Sequence, residues 1–376
     1  MTDSASTPPV CPGRGYGRLA ARLAPPLALG LLLAACGPSP VDMVEHPVTT
    51  TPSRIAGEEL QRAAEPENSC AEEPAPAEFP GTRDREVDSA GPGADTVEVP
   101  RSPERILAMG AGAVDVACAL GLQDLVVGTS GLPVDADVYL PDTLVDLPEV
   151  LTGDREPSAV ATAARELRPD LIVIPAEGLD PALLDALSSV ATTVVYDSDA
   201  LSWADATEAI SDAYGRPRAG GDLLLQVLDR ARFTTGATHP ADTNVSLVTV
   251  TGDEGDGVAV QAPDTLGSLM LEAVEAGRPP AQRTRDGERI PPLPQSPALG
   301  DELDGDVIFT VVGGSRGTAE EAREVFASDR WSELEAVQAS RMFVVDRAVW
   351  EGHGPVAATA ILEDIRKAVN GIAPDG

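Results

Sequence analysis

The chain has 376 residues, enough for two domains of ordinary size, and its formal net charge of −34 leaves room for one lysine, Lys367. A surface this acidic repels nucleic acid and anionic lipid head groups, so neither is expected as a partner of the folded part. The three histidines, His46, His239 and His353, are scattered; that argues against a His-rich catalytic metal site and against a carrier of bare zinc or manganese.

In chain order, Arg14, Arg18 and Arg22 precede an apolar run at 27–35, a basic region and a hydrophobic region too short to span a bilayer comfortably. The run closes on Leu33-Ala34-Ala35-Cys36 followed by Gly37, which resembles the lipobox of bacterial lipoproteins. That resemblance implies export, cleavage before Cys36 and acyl chains on its thiol, so residues 1–35 are read as a lipoprotein signal peptide. With Cys11 lost and Cys36 lipidated, Cys70 and Cys118 remain, an even pair in an oxidising compartment, and a disulfide is expected. A buried free Cys118 with an exposed Cys70 is the alternative. Residues 36–94, rich in Pro, Glu, Ala, Ser and Gly, read as a disordered tether except near Cys70.

Order is expected from residue 95. Strands are predicted at 96–99, 105–109, 125–128, 171–174 and 193–196, with helices at 113–120, 158–167 and 181–190 between them. Asp180 is a plausible N-cap with Pro181 at the first helical position. Strands apolar on both faces that alternate with helices imply a parallel sheet covered on both sides. Residues 95–202 therefore form an N-terminal α/β lobe. Two connecting helices follow in 203–238. The second opens at Pro217, is expected to stop before Gly236, and shows one stripe of Leu223, Leu224, Val227, Leu228 and Ala231. Residues 239–376 read as a C-terminal α/β lobe, with strands at 246–251, 307–312 and 342–345. Helices are predicted at 265–276, 318–327, 331–339 and 355–369, with a Pro- and Arg-rich loop at 278–298.

Several short segments of this pattern resemble one family. They are Pro103-Glu104-Arg105-Ile106, Met109-Gly110-Ala111-Gly112, Arg168-Pro169-Asp170-Leu171-Ile172-Val173, Arg341-Met342-Phe343-Val344-Val345-Asp346 and Trp350 with Gly354-Pro355. In this order they resemble the ferric-siderophore, haem and cobalamin binding proteins of ABC importers. Ser69-Cys70, Asp146-Leu147-Pro148 and Arg278-Pro279-Pro280-Ala281-Gln282-Arg283 resemble a narrower group, ferric-dicitrate-type iron-siderophore lipoproteins, in which the two cysteines are bonded.

The resemblance implies a class III periplasmic binding protein: two Rossmann-like lobes joined by a single long inter-lobe helix, with ligand between them. It also implies a monomer, lipid-anchored to the outer face of the cytoplasmic membrane, that hands a ferric chelate to an ABC permease. No cofactor is implied beyond the iron of the chelate, and no catalytic residue. Loops at strand ends supply the ligand-binding candidates. They are Met109, Gly110, Ala111, Gly112, Tyr139 and Glu177 from the first lobe, and Thr251, Gln261, Arg316, Trp350 and His353 from the second. Glycines allow close approach, Tyr139 and Trp350 have faces for stacking, and Arg316 and Arg347 suit anionic oxygens.

Two other functional classes compete with this one. An enzyme is disfavoured, since the sequence has no Ser/His/Asp order, no CxxC and no phosphate loop. A cell-envelope interaction or signalling lipoprotein that keeps the fold without an import role gains from one departure. Where this family commonly carries a permease-docking Glu, seven residues before Pro169-Asp170-Leu171, this chain has Thr162.

Overall fold

In a computed structural model, residues 66–79, 84–92, 96–150, 156–199, 202–238, 243–250, 258–283, 303–312 and 319–369 are described. The first strands form a hairpin, in which β1 (Arg85–Asp88) pairs antiparallel with β2 (Thr96–Val99). The first lobe continues through β3 (Ile106–Met109), α1 (Ala111–Ala119), β4 (Val126–Ser130), α2 (Asp142–Val145), α3 (Pro157–Leu167), β5 (Leu171–Pro175), α4 (Pro181–Ser188) and β6 (Thr192–Tyr196). Strands β3 to β6 form a parallel sheet in the order β4-β3-β5-β6. All of β3 is buried, as an all-apolar strand between two helical layers requires. Asp180 caps α4 by accepting the Ala182 N–H at 2.7 Å, with Pro181 in the first turn.

Next come α5 (Trp203–Ala213) and α6 (Pro217–Thr238). The 22 residues of α6 span about 33 Å at 1.5 Å each. The helix passes through Gly236 instead of stopping before it, and Thr235 Oγ1 ties this end to the second lobe by donating to the Val274 carbonyl at 3.3 Å. Gly220, which weakens a helix in isolation, is where α5 and α6 meet: a Cβ there would run into Ser211. The apolar stripe is narrower than the sequence suggests. Val227 and Ala231 are buried, while Leu228 is 47% exposed on the outer face with Leu225 and Phe233.

The second lobe comprises β7 (Val245–Val250), β8 (Val258–Val260), α7 (Leu266–Ala273), β9 (Val307–Val312), α8 (Ala319–Phe326), α9 (Asp329–Ser332), α10 (Glu335–Gln338), β10 (Met342–Asp346), α11 (Arg347–Trp350) and α12 (Pro355–Val369). Its sheet runs β10-β9-β7-β8, parallel except for β8. The helix expected at 331–339 is two short ones. Leu334 is extended between them, and Asp304 caps the second by accepting the Glu335 and Ala336 N–H groups at 2.6 and 3.2 Å. Gln282, in the Arg-Pro-Pro-Ala-Gln-Arg motif, acts as a surrogate backbone beside β7. It accepts the Leu247 N–H at 3.1 Å and donates to Ser246 Oγ at 2.7 Å.

Part of the expected tether is ordered. Cys70 and Cys118 are disulfide-bonded with Cα atoms 4.5 Å apart. From there residues 71–79 strap the first lobe to the start of α6. Ala71 and Ala75 donate backbone N–H bonds to Cys118 and Leu120 carbonyls at 3.0 and 2.8 Å. Glu78 Oε1 accepts from the Arg218 and Ala219 N–H groups at 2.8 and 3.1 Å, capping α6. The Arg85 guanidinium lies 4.7 Å from the Phe79 ring centroid and pairs with Asp212 at 2.8 Å. These ties are backbone bonds and helix caps, which amino-acid composition does not register; hence a segment lean in apolar residues still orders.

Candidate functional site

The carboxyl ends of β3, β4 and β5 come close to residues that follow β10 at the junction of the lobes, the candidate cleft. Gly110 opens α1 at φ +86°, and a Cβ there would sit 2.5 Å from the Tyr196 hydroxyl, so this turn admits glycine. The Tyr196 hydroxyl donates to the Met109 carbonyl at 3.3 Å and holds the turn from β6. Two residues on, Gly112 lies against the second lobe, where an added Cβ would meet the His353 carbonyl at 3.2 Å. Ala111 is half-buried at the first position of α1.

From the second lobe, Gln261 Nε2 donates to Glu351 Oε1 at 2.7 Å and also to Thr249 Oγ1. Arg347 donates to both Glu351 oxygens, at 2.9 and 3.0 Å. The charges interlock across the cleft. Burial holds the Asp135 carboxyl, in the loop after β4, above its usual range, while Arg347 pulls it down. Burial pushes the His353 imidazole below its usual value, against the fields of Glu177 and Glu351, so it favours the neutral form. Glu177 itself is exposed just beyond β5. The structure thus brings together Gly110, Gly112, Glu177, Gln261 and His353 among the sequence candidates.

Others lie elsewhere. Met109 is 1% exposed, packed in the first-lobe core with Leu107 and Ile174. Trp350, expected to stack on a ligand, is 1% exposed in the second-lobe core. Its ring centroid is 4.6 Å from that of Phe309, and its Nε1 donates to Asp364 at 3.0 Å. A large apolar ring with its one polar atom satisfied internally has no face left for a ligand. Tyr139 is also buried. Cys36, Thr251 and Arg316 lie outside the described residues.

Asp135 and Glu351 are the cleft residues that sequence reasoning missed. Asp135 sits in a loop of ordinary turn composition, and Glu351 is separated by 90 residues from the Gln261 it holds; only the Gly-His-Gly setting of His353 next to Glu351 hinted at a site. Among the described residues, no three His, Cys, Asp or Glu side chains are placed to share a metal ion. Thr162 lies exposed on α3 with its hydroxyl donating to the Ser158 carbonyl at 2.8 Å, and Glu166, also exposed, stands one turn later.

The sequence profile described as periplasmic binding protein matches residues 106–349. A curated relative, the probable siderophore-binding lipoprotein YfiY of Bacillus subtilis (strain 168), is 24% identical, over 71% of this chain and 82% of its own length. Among solved structures, Staphylococcus aureus SirA complexed with staphyloferrin B superposes with a TM-score of 0.60 at 21% identity, covering 76% of this chain and 98% of that one. The siderophore periplasmic binding protein from the fuscachelin gene cluster of Thermobifida fusca gives a TM-score of 0.58 at 22% identity, covering 72% and 98%. At these identities the structural likeness speaks for the fold: two Rossmann-like lobes joined by α6.

Proposed function

This chain belongs to the periplasmic binding protein family, and from that premise we propose that it is a lipid-anchored solute-binding protein that captures a ferric siderophore, or a haem-like iron chelate, for an ABC importer. The observation that carries the reading is the cleft itself. A glycine-lined turn of one lobe lies against His353 of the other, beside the Arg347–Glu351–Gln261 cluster, with Asp135 and Glu177 close enough for their charges to act on these groups. Such a cleft offers close backbone approach and convergent polar groups, the features of small-molecule sites between domains. The siderophore-binding relative supports the ligand class. Iron enters as part of the cargo, and no resident cofactor or catalytic step is proposed.

Anchoring is proposed through Cys36, with the mature chain on the outer face of the cytoplasmic membrane. Mass spectrometry of the processed N-terminus tests it: a diacylated Cys36 is expected, and a free N-terminus elsewhere contradicts it. The ligand class is tested by titrating the protein with ferric citrate, ferric hydroxamates, ferric catecholates, haem and cobalamin while following tryptophan fluorescence. One observation favours a second reading, an envelope interaction or signalling lipoprotein: Thr162 stands where a docking carboxylate is expected. Iron uptake that persists unchanged when the gene is deleted would favour that reading.

A further inference from the structure

Where α6 crosses α12 there is a cavity of about 430 Å³, within the range of small-molecule sites. None of Gly110, Glu177, Gln261, Arg347, Glu351 or His353 lines it. Its walls come from both lobes and the strap. Ala119 and Tyr139 belong to the first lobe, Leu223 and Val227 to α6, Val356 and Ala360 to α12, and Ser69 and Cys70 to the disulfide-held segment. Asn68, Gln226 and Thr359 add polar groups to this largely apolar wall, and one further polar group is buried in it. Tyr139 is 2% exposed and its hydroxyl has no hydrogen-bond partner among the described residues. Buried phenols are seldom left so, because an unmade bond costs about 1–3 kcal/mol.

The rim has its own character. Glu363 and Arg230 line it, and Arg366 donates to both Glu363 oxygens at 2.6 and 3.0 Å. Arg230 and Lys367, the chain's one lysine, also lie close enough for their charge to act on Glu363. On a chain of net charge −34 this rim gathers three cations around one carboxylate.

We propose that this cavity is a second small-molecule site, separate from the cleft, that takes an anionic amphiphile. The apolar body lies against Leu223, Val227 and Ala360. The anionic head faces Arg230, and an acceptor atom on the body takes the Tyr139 hydroxyl. An occupant touches both lobes at once and so braces their junction.

The probe is 1-anilinonaphthalene-8-sulfonate, which joins an aromatic body to a sulfonate, added to the protein from residue 36 onward with Cys36→Ser. We expect one saturable site per chain. Ala360→Trp, which fills the cavity, abolishes it, and Arg230→Glu weakens it by about twofold to fivefold, the scale of one exposed charge contact. Where Ala360→Trp does not fold, Arg230→Glu on the exposed side of α6, with melting temperature unchanged, decides alone. Decanoate and 1-naphthyl phosphate, one acyl and one aromatic, serve as competitors; displacement by either supports the site and tells which body it prefers. No saturable binding, binding indifferent to these substitutions, or displacement by neither competitor overturns it.

Discussion

The Asp115 carboxylate of α1 accepts two backbone N–H groups from the first turn of α12, Val356 at 2.8 Å and Ala357 at 3.0 Å. A side chain of the first lobe thus caps the closing helix of the second, and Gly354 leaves the room it needs. Asp115 is fully buried, and desolvation pushes its carboxyl up from 3.8 to about 7, while the two N–H bonds pull the other way. A carboxyl that binds its proton more tightly when folded favours the folded state at acid pH. Its contribution is fully present below about pH 4 and declines as pH rises towards 7, by an amount on the order of 4 kcal/mol. Urea unfolding of wild type and Asp115→Asn at pH 5 and pH 8 checks this. The wild type should lose stability relative to the variant at pH 8; parallel curves would show that the carboxyl does not titrate as argued. Asp115→Ala, which strands both N–H groups and removes the titrating carboxyl, should cost about 1–3 kcal/mol at pH 5 and less at pH 8, where the wild type has itself lost stability.

The Cys70–Cys118 bond closes a separation of 48 residues. Chain entropy assigns a loop of that length about 4 kcal/mol. Reduction should lower the unfolding midpoint, and limited proteolysis should then cut within residues 66–79 first, because the strap's other ties are local caps and backbone bonds. A reduced protein as stable and as protease-resistant as the oxidised one would contradict this.

Trp350 should matter for stability and not for ligand. Trp350→Phe removes the N–H that Asp364 accepts and leaves a void beside Phe309. We expect a loss of about 1–3 kcal/mol, with chelate affinity within twofold of wild type. A large affinity loss at unchanged stability would return the ring to the cleft.

Arg347 should behave in the opposite way. Its pair with Glu351 is a partly buried i,i+4 contact, worth about 0.3–0.5 kcal/mol. Arg347→Ala should therefore leave melting nearly unchanged yet reduce chelate affinity at least about tenfold, by removing the cation that balances Asp135 and Glu351. Calorimetric titration and thermal melts of the one variant give both numbers.

The lobes were legible in the sequence for a simple reason. Leu171-Ile172-Val173-Ile174 and Val307-Ile308-Phe309 are apolar on both faces, and a strand of that kind has one home, between helical layers. The caps at Asp180 and the start of α6 at Pro217 were equally local. What the sequence hid depends on long-range pairing. β1 is four residues of mixed polarity that order because β2 lies opposite. Asp304 breaks the 331–339 helix from 31 positions away. In the site, glycine turns announced themselves, since φ +86° at Gly110 demands one. Aromatic residues misled, because Trp350 and a ligand-stacking ring look alike until the neighbours Phe309 and Asp364 are known.

Calorimetric titration of the lipid-free protein with ferric citrate, ferric hydroxamates, ferric catecholates, haem and cobalamin asks whether the cleft between the lobes holds an iron chelate. We expect one-to-one saturable binding of at least one ferric siderophore or haem, weakened by Arg347→Ala and unaffected by Trp350→Phe. Absence of saturable binding across the panel, or binding that ignores Arg347→Ala, would contradict it.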